Sequence, residues 1–167
     1  DYVGGREDIK NKIIRTIGDP EKRFSEDHLR MLRAIRFSVQ LGFEIEKATL
    51  RAVRQHAMLI EKVSRERVRD EFGKILTSEN PARGLRLLDE TGLLLSVLPE
   101  IVKLKGVEQP SEFHPEGDVF IHTMLLMEGL QNAPLELAMA CLLHDVGKPA
   151  TFVMATDRIR FHGHDRL

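Results

Sequence analysis

Glu26, Asp27 and Arg30 carry the most specific chemical signal in this chain. On a helix, residues three and four apart share a side, so two carboxylates and a guanidinium can meet there. A carboxylate beside a guanidinium offers an acceptor and a row of donors, the set needed to read the hydrogen-bonding edge of a base. Cytosine and adenine each present an exocyclic amino donor to Asp27 and a ring-nitrogen acceptor to Arg30. Uracil or guanine would leave desolvated polar groups unpaired, at about 1–3 kcal/mol each. The same residues also fit a solvated surface cluster worth a few tenths of a kcal/mol, and the spacing alone leaves both readings open.

A second constellation is rich in imidazole. Five of the seven histidines, His114, His122, His144, His162 and His164, fall in the last third of the chain. His144-Asp145 close an apolar run that Gly147 and Pro149 interrupt, and His122 stands in the segment Val119-Phe-Ile-His-Thr123. Adjacent His and Asp at a helix end can converge on one ion if a second helix supplies His122. Such mixed ligation suits Mn2+, Fe2+, Co2+, Ni2+ or Zn2+ better than Ca2+, and it could activate a bound water for phosphoester hydrolysis. A helix-capping Asp beside a packed His is the plain alternative. In an extended segment His162 and His164 would point the same way, toward a second ion, a phosphate or mere packing. His114 reads as a loop residue.

These side chains need helices to hold them. Ile9, Ile13 and Ile14 predict a helix over 8–15, ended by Gly18-Asp19-Pro20. Ser25 reads as the cap of a continuous helix to Gly42, with Leu29, Leu32, Ile35 and Val39 at helical spacing. Further helices are expected over 46–60, 65–77, 80–90, 93–98, 119–131 and 135–145, and a short hairpin around Ala155-Thr-Asp157. Residues 105–118 hold two prolines and two glycines and read as a linker. The fold class is therefore all-α, with one possible β-hairpin.

Composition narrows the class of protein. With 167 residues, 42% apolar and 31% charged, the chain can bury a core and is not of disordered type. Residues 1–79 carry 17 basic and 14 acidic side chains, residues 80–167 carry 8 and 12, so the front half is the better face for phosphates. Cys141 lies in an apolar run and reads as a small hydrophobe rather than half of a disulfide. No stretch is long and apolar enough to span a bilayer, and a cytoplasmic location is expected. The opening at Asp1 and the stop after a His-rich segment both read as cuts in a longer protein.

Three segments resemble one family. Asp1-Tyr-Val-Gly-Gly-Arg-Glu-Asp, Gly18 to Phe37 with its Glu-Asp-His-Leu-Arg core, and Val63-Ser-Arg-Glu-Arg-Val-Arg-Asp-Glu-Phe-Gly-Lys-Ile-Leu76 are similar to motifs of class II tRNA nucleotidyltransferases, the CCA-adding enzymes and related poly(A) polymerases. The resemblance implies that Asp27 and Arg30 pair with incoming CTP or ATP, that Glu26 orients Arg30, and that Arg33 and Arg36 support the nucleotide. His28 stands where the family usually has Pro. Glu66 and Arg67 would tie their helix to its neighbours.

The resemblance also implies an RNA 3′ end as partner, tRNA above all, and a catalytic head upstream whose carboxylates hold Mg2+. Without that head the chain should not add nucleotides by itself. His122, then His144-Asp145-Val-Gly-Lys, resembles the HD phosphohydrolase pattern, which implies His122, His144 and Asp145 as ligands of a transition metal and a last Asp beyond Leu167. The implied layout is a neck over 1–104, a linker over 105–118 and a partial HD domain over 119–167. A phosphohydrolase with the neck as scaffold, or an inert RNA- or nucleotide-binding module, are the competing expectations.

Overall fold

Glycine, proline and capping acids decide where the apolar-patterned segments begin and stop. The structure, a computed structural model, describes all residues except 111, 113, 156–158 and 167. Phe113 and most of the expected hairpin turn therefore lie outside the described residues. Helix α1 (Gly5–Asn11) ends earlier than its isoleucine spacing implies. The β-branched pair Ile13-Ile14 leaves the helix as β1 (Ile13–Ile14), which pairs parallel with β2 (Glu44–Ile45).

The expected single helix from Ser25 is two. Helix α2 (Pro20–Glu26) starts on Pro20, with the Asp19 side chain accepting the Glu21 N–H, and stops where Asp27 turns extended at φ −151°. Helix α3 (Arg30–Leu41) begins after this break. Ser25 is inside α2, its hydroxyl donating to the Glu21 carbonyl at 2.8 Å. Asp27 ends α2 and bridges the break, its Oδ1 accepting the Leu29 N–H at 3.1 Å just before α3. Asp prefers such a place because its carboxylate competes with the backbone inside a helix.

Helix α4 (Lys47–His56) runs into a 3-10 segment at Ala57–Lys62, followed by α5 (Arg65–Leu76), α6 (Pro81–Glu90), α7 (Leu93–Val97) and α8 (Pro99–Val102). Beyond residues 105–118 come α9 (Val119–Glu128), α10 (Leu135–Leu143) and α11 (Lys148–Thr151). The C-terminal strands β3 (Phe152–Met154) and β4 (Ile159–Phe161) pair antiparallel, as the expected hairpin requires, and a 3-10 turn at His164–Arg166 follows.

Helix α3 is the central rod, packed on α5 and α6 through the fully buried Met31, Leu32 and Ile35. Each such side chain contributes about 1.5–3 kcal/mol by leaving water. Gly84 permits the close contact of α6 with α5, since a Cβ there would meet Ile75 Cγ2 at 2.3 Å. The apolar core runs on without interruption into α9 and α10, through Val119, Met124, Met127, Ala138 and Leu142. Residues 105–118 are anchored at their ends: Val119 N–H donates to the Val107 carbonyl at 3.0 Å, and Asp118 accepts the Gly106 N–H at 2.6 Å. Cys141 is a half-buried free thiol. No helix among the described residues is long and apolar enough to cross a membrane.

Candidate functional site

The break between α2 and α3 puts the acidic pair at a corner instead of along one rod. Arg30, at the start of α3, donates to Glu26 Oε2 at 2.6 Å and to the Arg23 carbonyl at 2.8 Å. Arg23 holds the same Glu26 oxygen from the other side at 2.7 Å. Asp27 is fixed twice, by the Leu29 amide on Oδ1 and by Arg67 of α5, 3.1 Å from Oδ2. His28 closes the end of α2, its Nδ1 lying 2.7 Å from the Phe24 carbonyl.

Electrostatics follow the contacts. Partial burial pushes the Asp27 carboxyl up, but the Leu29 amide and the Arg67 guanidinium outweigh it and hold the group below the usual carboxylate range. The hydrogen bond from Arg30 lowers the Glu26 carboxyl. Both stay ionised at neutral pH. Asp27 and Arg30 remain about a quarter to a third exposed, at 27% and 32% of their side-chain surface. An incoming polar edge can therefore reach them without unfolding anything.

The remaining arginines of the segment part company. Arg33 is exposed and has no ion-pair partner among the described residues. Arg36 turns inward, its Nε 2.7 Å from Glu71 Oε2, with both side chains nearly buried at 13% and 10% exposure. Successive arginines three apart lie about 60° round the helix from one another, and that rotation carries Arg36 off the exposed edge into the packing between α3 and α5. Arg36 therefore ties α3 to α5. Glu66 is exposed, and of the expected tie residues it is Arg67 that makes the cross-helix contact.

The histidines assemble around Asp145. One ligand atom each from His122 on α9, His144 at the end of α10 and Asp145 lie within 4.8 Å of one another. His144 Nδ1 is 2.8 Å from the Cys141 carbonyl, which leaves Nε2 facing Asp145 Oδ2 at 3.0 Å. Asp145 is only 3% exposed. Burial pushes its carboxyl up, but His144 and Lys148 bring it down to about 2, and the same contact raises His144.

His164 also approaches, Nε2 3.7 Å from Asp145 Oδ1, whereas His162 is exposed on the turn. Neither is in a strand. Gly147 makes the approach of His164 possible, because a Cβ there would lie 2.1 Å from the His164 carbonyl oxygen.

Four participants escaped the sequence reading. Lys148 is buried, its Nζ 2.7 Å from Asp145 and 2.6 Å from Gln109 Oε1. The spacing of Asp145 and Lys148 was a usable signal; nothing in the sequence marked Gln109. Glu116 accepts from His122 Nδ1 at 2.6 Å and lies 3.0 Å from His114 Nδ1, so His114 is part of the cluster and not a free loop residue. Its own backbone amide, then His114 and His122, hold the Glu116 carboxyl near 2.

The donor set fits a divalent transition ion: two imidazoles and a buried carboxylate. Asp145 Oδ2 is engaged by the Lys148 ammonium at 2.7 Å and by His144 at 3.0 Å, so an ion there would share or displace those contacts.

Comparison with known proteins gives a consistent family. A family model described as a probable RNA and SrmB-binding site of polymerase A matches residues 42–104. An A-adding tRNA nucleotidyltransferase of Deinococcus radiodurans is 41% identical over 179 residues, covering 100% of this chain and 40% of its own length. A multifunctional CCA protein of Neisseria gonorrhoeae is 38% identical over 170 residues, covering 99% of this chain and 40% of its own. The chain thus spans about two fifths of the length of these relatives. The crystal structure of a Bacillus stearothermophilus CCA-adding enzyme in complex with CTP superposes with a TM-score of 0.56 at 46% identity, over 61% of this chain and 27% of that one.

Proposed function

Because the chain belongs through its neck region to the class II tRNA nucleotidyltransferases, we propose that it is the nucleotide-selecting part of an enzyme that adds C and/or A to RNA 3′ ends. The observation that carries this is the corner at Asp27 and Arg30, where a carboxylate and a guanidinium are each pinned from behind and left accessible in front.

Asp27 would accept the exocyclic amino group of cytosine or adenine, and Arg30 would donate to the ring nitrogen. Rigidity is what makes the choice selective. A side chain held by two partners cannot swing to accommodate uracil or guanine, so the wrong base leaves unpaired groups. Glu26 takes the orienting role for Arg30, and Arg33, free on the exposed side, is available to a phosphate. The segment 42–104 would carry the RNA, with tRNA as the substrate class.

Transfer of the nucleotidyl group requires metal-bridged phosphates. The family resemblance assigns the Mg2+-holding carboxylates to a catalytic head outside this chain. Equilibrium binding of CTP, ATP, UTP and GTP to this chain, together with incorporation by the parent enzyme, tests the proposal. Asp27→Ala should reduce discrimination for CTP and ATP by about ten- to a hundredfold, with the melting temperature little changed. Unaltered nucleotide choice would remove Asp27 from the role.

A second site in the same protein is favoured by one observation, the convergence of His122, His144 and the buried Asp145 within 4.8 Å of one another. These residues would hold a transition ion such as Mn2+, Co2+, Ni2+ or Zn2+, which supplies a water activated for attack on a phosphomonoester or cyclic phosphate. Lys148, buried against Asp145, would then supply the fixed positive charge beside the phosphate. Elemental analysis of purified protein, with a phosphatase assay under Ni2+ or Mn2+, tests this reading.

A further inference from the structure

Two triads share His122: His122, His144 and Asp145 on one side, and His114, Glu116 and His122 on the other. An ion could in principle sit in either. The ring nitrogens of His122 separate their roles. His122 Nδ1 lies 2.6 Å from Glu116 Oε1, and His114 Nδ1 addresses the same oxygen at 3.0 Å. Glu116 thus collects two imidazoles as hydrogen-bond donors, and Nε2 is the nitrogen of His122 left for the His144–Asp145 side.

An imidazole that donates from one ring nitrogen has its lone pair fixed on the other. A carboxylate behind a metal-ligating histidine sets the tautomer, orients the ring and raises its basicity. His144 differs, being engaged at both nitrogens, Nδ1 by the Cys141 carbonyl and Nε2 by Asp145.

We propose that Glu116 is the positioning residue of the metal centre, accepting the Nδ1–H of His122 so that Nε2 is presented to the ion, with His114 bracing the carboxylate. The inference rests on the metal reading given above only for its consequence. The orientation of His122 can be measured with no metal at all.

The experiment has two arms on the same 167-residue protein. Long-range 15N–1H NMR of the metal-free protein should show His122 as the Nδ1–H tautomer, and Glu116→Ala should convert it to the Nε2–H form or a mixture. Glu116→Gln, which keeps an acceptor oxygen, should retain the native tautomer. Titration with Co2+, followed by visible absorbance, should give a Kd weaker by about 10–100-fold in Glu116→Ala, with Glu116→Gln between the two. Circular dichroism checks that the variants fold, and α9 keeps its Asp118 cap in all of them.

A His122 ring in the Nε2–H form in the unaltered protein overturns the proposal, as does unchanged Co2+ affinity in Glu116→Ala. Failure of the unaltered protein to bind Co2+ defeats the metal reading instead, and the tautomer result then decides the role of Glu116 on its own.

Discussion

The corner at Asp27 and the centre at Asp145 are both carboxylates ringed by cationic neighbours, and burial alone makes them different devices. Asp27 keeps 27% of its side-chain surface and is tied to Arg67, which is itself 53% exposed. Ion pairs in such surroundings are worth about 0–1 kcal/mol, so Arg67 orients the carboxylate without closing off its exposed side. Asp145 keeps 4% and faces His144, Lys148 and His164. A charge so deeply placed must be neutralised permanently, by protons on its neighbours or by an ion. Reading a ligand edge favours the first setting and holding a cation favours the second.

The comparison can be attacked first at its buried end. Asp145→Asn should weaken Co2+ binding by more than the roughly 100-fold upper range of outer-sphere changes, measured by the same absorbance titration. Undiminished binding would place the ion elsewhere.

A third carboxylate sharpens the rule. Glu71, buried against Arg36, should behave as structure alone. Arg36→Ala should destabilise the chain by about 1–3 kcal/mol, because the buried Glu71 keeps only the half-exposed Lys74, 3.2 Å away, as a partner. Denaturant unfolding measures that loss, while nucleotide preference should stay as it was. Altered preference at full stability would return Arg36 to the site.

At the exposed end the effect should be small. Arg67→Ala should cost less than about 1 kcal/mol in stability, yet it removes one of the two restraints on Asp27. Nucleotide competition assays should show weakened selectivity with near-native melting.

Much of this was legible in the residue order. The helical spacing of Leu32, Ile35 and Val39 and the expected hairpin around Ala155-Thr-Asp157 place elements that the structure contains. The continuous helix through Ser25 was misread because apolar periodicity carries across Asp27, while capping, a local hydrogen-bond choice, breaks the rod there. The isoleucines at 13 and 14 fitted a helix equally well until a parallel partner at Glu44-Ile45 claimed them.

By itself, the sequence determined which residue types were present at which intervals: the Glu-Asp-x-x-Arg segment, the His-Asp pair and the apolar faces that force helices together. Only the tertiary structure decided which charges face water and which face each other. Arg33 and Arg36 look alike in sequence, but rotation about α3 leaves one exposed and sends the other to Glu71. Glu116, Gln109 and Lys148 joined the histidines through contacts between segments up to 39 positions apart. Such pairings depend on how helices pack, and packing depends on the whole core at once.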